Sequence, residues 1–272
     1  MSKKIIIIII FFLVGVFLSS CNIFESPEPI YSPELPENIT FEFDASVLEN
    51  DTIEPEIKQL MSNWMNSASK ISVWTIFIKE NIGITQNFLE AAYLAPEFVY
   101  YANSSWVYEY SLISLNNSYE IKLFATFQAD SSVLWEMYVS AEGEEEYLAL
   151  TGESNYSKTQ GNWVFYKYAD VSNVAMKIDW LITQESVELT FYNLCETSIF
   201  QASNLSLEYF ISDTVQYDLK INSYNSILDS YSEMKVNTIE FNGSLKSPNN
   251  YDDTLWHCWN SSLLDVDCER VN

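Results

Sequence analysis

Histidine and glycine are nearly missing from this chain of 272 residues, which has one histidine, His257, and six glycines scattered singly. A Ser-His-Asp hydrolase would have a single residue from which to build its base, and no Gly-x-Ser-x-Gly elbow is present. Phosphate-cradling loops need clustered glycines, which isolated ones do not supply. Zinc-type spacing is absent as well, because the four cysteines include no Cys-x-x-Cys pair. Positive charge is scarce: 13 Lys and Arg stand against 38 Asp and Glu, a net charge of −25. Such a field repels nucleic acid and anionic headgroups, and leaves cations or a basic protein partner as the permitted ligands. No pair of acids is singled out for glycosidase-type work. The chain is therefore expected to have no catalytic residue, no metal site and no cofactor.

Aromatic residues, in contrast, are plentiful, with 8 Trp, 18 Tyr and 16 Phe. So much ring surface must be buried or used in binding, which argues against disorder. At the N-terminus, Lys3 and Lys4 precede an unbroken apolar run from Ile5 to Leu18. That run is short for a membrane span, and its flanks are those of a cleaved signal. The tetrapeptide Leu18-Ser19-Ser20-Cys21 resembles the lipobox of bacterial lipoproteins. The resemblance implies that residues 1–20 are removed and that Cys21 becomes an acylated N-terminus carrying diacylglycerol and palmitate-type chains. The protein would then sit in the cell envelope, meeting the membrane through its lipid. Residue 22 is Asn rather than the Asp that retains enteric-type lipoproteins at the inner membrane, so the resemblance favours the outer membrane. Removing the two charges of Lys3 and Lys4 takes −25 to −27.

Residues 21–38 read as a tether, with Pro27, Pro29, Pro33 and Pro36 alternating with glutamates. A single domain is expected over residues 39–272. Its first part shows helical spacing: Ile57, Leu60, Met61, Trp64, Met65, Ala68 and Ile71 form one stripe, with Glu54-Pro55-Glu56 suited to a first turn. Thr85 to Leu94 predicts a second helix, and Val73–Ile78 between them fits helix or strand equally. From Trp106 the period becomes two, through segments such as Tyr119–Phe127, Val133–Val139, Val174–Ile182 and Leu205–Ile211, and ending with Ile239–Phe241. About ten strands with short polar breaks predict an antiparallel meander. The expected fold class is α+β, predominantly antiparallel β, with N-terminal helices packed on a long meander that forms a barrel or half-open barrel.

Cys258 and Cys268 are placed to close a short C-terminal loop by a disulfide, which an envelope address permits. Cys195 is left over, and a different pairing through it stays open on sequence alone. From Gly161, the order Gly-x-Trp-x-Phe-Tyr followed by Ile178-Asp179-Trp180 resembles a loose group of bacterial envelope lipoproteins without an assigned function. Helices on a half-open meander also resemble the periplasmic lipoprotein-carrier fold, which holds acyl chains in its concave face. Trp106, Trp135, Trp163 and Trp180 fall on strand alternation, beneath a helix carrying Trp64, and are the candidate ligand-binding residues. The expected function is a non-catalytic, lipid-anchored binding module for an apolar or glycan ligand. The alternative is a structural or adhesive surface lipoprotein with a filled barrel and no small-molecule ligand.

Overall fold

The computed structural model describes residues 31–270 except 45, 49–59, 95–98, 103–104, 115, 168–169, 195–204, 213–215 and 226–228. The signal, Cys21, the expected first helical turn at Glu54-Pro55-Glu56 and Cys195 lie outside the described residues. The compact body begins at Pro33, inside the stretch expected to be tether.

One helix replaces the two expected. Helix α1, Ser62–Ala92, runs for 31 residues without a break. Its buried positions Trp64, Ser67, Ile71, Trp74, Ile78, Ile82, Thr85, Leu89 and Ala92 recur at three and four residues along its whole length. The β-branched stretch Val73–Ile78 is helical because that stripe passes through it. No helix among the described residues is long and apolar enough to cross a membrane.

Among the described residues fourteen strands follow in one antiparallel sheet. They are β1 (Val99–Ala102), β2 (Ser105–Ser114), β3 (Asn117–Phe127), β4 (Ser132–Ala141), β5 (Tyr147–Asn155), β6 (Gln160–Lys167) and β7 (Asp170–Ile182). The second half comprises β8 (Ser186–Asn193), β9 (Leu205–Ser212), β10 (Leu219–Asn225), β11 (Ser230–Asn237), β12 (Asn242–Lys246), β13 (His257–Trp259) and β14 (Asp265–Val266). A short helix α2, Pro248–Tyr251, separates β12 from β13. Every strand pairs with its neighbours in sequence, as a meander requires. The sheet does not close: β1 and β14 remain edges, so the expectation of a closed barrel is corrected. The short edge strands carry too few free backbone groups to seal against each other. Ile239–Phe241, expected as a strand, is the turn between β11 and β12, with Ile239 82% exposed.

The helix starts against β14 and ends against β2. The Asn63 backbone N–H donates a hydrogen bond to Asp265, and the Phe88 carbonyl accepts one from Tyr110. About 38 Å of helix thus joins strands that would lie roughly 58 Å apart in a flat sheet, so the sheet curves around the helix. Residues 33–44 and 46–48 form a strap within the same core. Thr40 and Phe41 are buried, and Phe43 meets Phe191 and Tyr209 edge-on at 5.8 and 5.1 Å. Tyr93 donates to the Pro36 carbonyl, and Tyr209 to that of Asp44 at 2.8 Å.

Candidate functional site

Strand register places all four strand tryptophans on the face turned towards α1. Trp106, Ala125, Trp135, Gly152 and Trp163 lie directly opposite one another on β2 to β6, large and small residues alternating. The next row carries Ser154, Gly161 and Trp180. This is close packing rather than an open cleft. Trp135 and Trp163 are 0% exposed, Trp180 2% and Trp64 4%. Trp163 stands 6.3 Å from Trp135 and 5.2 Å from Trp180, centroid to centroid. Its Nε1–H donates to the Thr40 hydroxyl of the strap at 3.1 Å, and that of Trp135 to Ser154 at 3.0 Å. Trp106, at the margin, is half-buried with its ring against Tyr100 at 5.2 Å. The candidate binding residues are thus brought together, but as core. None of the buried rings offers a free face to a ligand.

The opposite face of the sheet is mixed: aromatic rings such as Phe124 and Tyr138 stand on it 5.8 Å apart, and a polar row crosses its centre. Register aligns Glu153, Asn162, Asp179, Thr190, Glu208, Asn222 and Glu233 across β5 to β11, so carboxylates alternate with amides or a hydroxyl. The alternation keeps like charges from facing each other directly, which destabilises a sheet. Asn222 donates to Glu208 at 2.9 Å, and Lys177 pairs with Asp179 at 2.9 Å while lying over the Tyr192 ring.

Over β5 to β8 this face is hollowed into an open groove of about 630 Å³. One side of its lining is the Glu153, Asn162, Asp179, Thr190 row. The other is the neighbouring row of Asn155, Gln160, Leu181 and Glu188. Asp130, in the β3–β4 turn, stands at the end, its carboxyl held below the ordinary range by the Ser132 backbone N–H and hydroxyl. Gly161 and Trp180 also contribute to the lining. The Trp180 indole N–H has no hydrogen-bond partner among the described residues. No group of three or more His, Cys, Asp or Glu among the described residues is disposed to hold a metal ion. The groove residues escaped the sequence reading because each is merely the polar partner in an alternating strand; only the register of four strands brings them together.

At the far edge the C-terminal tail clamps the start of α1. Cys258 and Cys268 are joined by a disulfide. The carboxylate of Asp265, between them, accepts from the backbone N–H of Ser62 and of Asn63 at 3.2 and 2.9 Å, and from the Ser62 hydroxyl. Asn63 Nδ2 donates to the Cys258 carbonyl at 2.9 Å, and the Tyr251 hydroxyl to Asn63 Oδ1 at 3.0 Å. His257 stacks on Tyr251 at 3.5 Å and meets Asp253 at 3.1 Å. The residues flanking the disulfide thus hold a helix end. The acidic turn Glu142–Glu146 is exposed throughout, and its Glu146 pairs with Lys122 at 2.7 Å.

No protein family matches this chain, and neither a curated protein nor a solved structure is significantly similar to it.

Proposed function

We propose that this protein is a lipid-anchored module of the cell envelope that works without catalysis and makes its contacts from the outer face of the sheet. In this reading Cys21 carries the lipid, and the curved open sheet is a half-barrel shell whose inside is filled by α1 and the strap. The observation that carries it is the contrast between the two faces. The inner face buries its tryptophans against one another and against the strap, whereas the outer face holds an open polar groove. An apolar ligand beneath the helix would have to displace Phe41 and the rings around it, which are wholly buried. The adhesive or surface-docking alternative asks for no such displacement.

Carbodiimide footprinting of carboxylates tests the reading on intact cells against the purified protein. Glu153 and Glu188, in the groove, should be labelled less on cells, while Glu144 and Glu145, in an exposed turn, should label equally in both. Equal labelling of all four would argue against outer-face docking.

A further inference from the structure

We propose that the outer-face groove binds an uncharged oligosaccharide chain laid across strands β5 to β8. The proposal rests on outer-face docking and names the ligand class. Shape comes first: the groove crosses four strands, about 14 Å, and is open along its length, enough for about three sugar rings. A cross-strand spacing near that of successive pyranose units lets one strand address one unit.

The chemistry of the lining follows the same repeat. Glu153, Asn162, Asp179 and Thr190 face one another across successive strands, and Gln160, Leu181 and Glu188 do so in the next row. A carboxylate beside an amide accepts from and donates to neighbouring hydroxyls, which is the pattern a vicinal diol presents. The carboxylates are dispersed rather than convergent, as the lack of a metal-type cluster among the described residues shows. That suits several separate hydroxyls better than one ion. Four acids line the groove, and only Asp179 is balanced by a lysine, so phosphate-bearing or uronic chains are repelled.

An aromatic ring beside the groove points the same way, since sugar C–H faces stack on such rings: Phe210 on β9 lies opposite Glu188, with Lys220 over its ring at 4.9 Å.

The test uses the full chain in detergent and hexasaccharides of β-glucan, mannan, maltose and N-acetylchitin type, with hexalysine and a hyaluronan oligosaccharide as charged controls. Calorimetry reads affinity, and the backbone amide signals of β5 to β8 in a nitrogen–proton correlation spectrum locate the binding. At least one neutral hexasaccharide should bind with little dependence on salt and shift amide signals of those four strands. The hyaluronan fragment should not bind. The double variant Asn162→Ala with Gln160→Ala, both surface positions, should weaken binding roughly tenfold or more, as loss of two hydrogen bonds implies. The proposal is overturned if no neutral chain binds at millimolar concentration, or if the double variant binds as well as the original. Salt-sensitive binding of hexalysine alone, lost in Glu153→Gln, would overturn the sugar while leaving outer-face docking standing.

Discussion

Asp265, in the last strand of the sheet, caps the first turn of helix α1 through Asn63, two hundred residues earlier in the chain. The helix has no capping side chain of its own, since Met61 occupies the N-cap position. The Asp265 carboxylate takes over, accepting from two of the four backbone N–H groups that a helix start leaves unsatisfied, and its charge complements the dipole. Asp265→Ala should cost about 0.5–2 kcal/mol, the usual range for losing a cap. Urea denaturation reads the loss directly; an unchanged midpoint would mean the contact contributes nothing.

Glycines oppose tryptophans at three places in the sheet, and the pairing of Gly152 with Trp163 is the tightest. A Cβ on Gly152 would fall 2.2 Å from the Trp163 ring and 2.8 Å from the Asn162 carbonyl. Gly152→Ala should therefore destabilise by about 1–3 kcal/mol through overpacking. Gly83 sits in the helix, where an added methyl meets only Lys79 at 3.6 Å. Gly83→Ala should stabilise by about 0.5–1 kcal/mol. Thermal melts of both variants should show opposite signs.

High pH should loosen the strap. Burial pushes the hydroxyls of Tyr93, Tyr110 and Tyr209 well above the ordinary tyrosine range, and each donates to a backbone carbonyl. The folded state then holds protons that the unfolded chain releases above about pH 10, so stability is constant below that point and falls as pH rises through it. Denaturant unfolding between neutral pH and pH 11 measures this slope. Tyr209→Phe should be less stable at neutral pH yet show a shallower alkaline decline.

Reducing the Cys258–Cys268 bond should remove about 2–3 kcal/mol, given the ten-residue separation it closes. Because Asp265 lies inside that loop, reduction and Asp265→Ala should be less than additive. A double cycle by chemical denaturation decides it, and full additivity would show that the loop holds the helix start without the bond.

Cys21→Ser should release the protein from membranes. One acyl chain holds a protein only marginally, so the several chains of a lipoprotein are needed for stable anchoring. If the variant still sediments wholly with membranes, the anchor proposal fails.

The central strands were legible because their inward positions are large and apolar, as in Tyr119-Ile121-Leu123 and Val133-Trp135-Met137-Val139. Strand β11 was not, because its inward positions are Ser232, Met234 and Val236 between polar neighbours, and one of the three is itself polar. The continuous helix was obscured by Val73–Ile78, whose β-branched and aromatic residues suit a strand as well as a helix; within the helix, Ser67 satisfies its hydroxyl on the Asn63 carbonyl at 3.0 Å. The start of the strap, residues 33–38, reads as tether because its prolines signal extension, and extension is also what threads a chain between a helix and a sheet. The groove depends on which residues of four strands stand abreast. Periodicity assigns a residue to a face but does not say what stands beside it.

The strictly sequential sheet has a consequence for how the chain acquires its structure. Each strand finds its partner in the segment that has just preceded it, so the meander can zip up progressively as the polypeptide is made, at little loop-closure cost. The helix is the exception. It is synthesised before every strand, yet its capping carboxylate is among the last residues to arrive. Until then the helix has a growing surface to lie on but no fixed starting point. The final strand therefore acts as a latch, and a chain truncated before Asp265 should retain a zipped sheet whose helix is unpinned at its first turn.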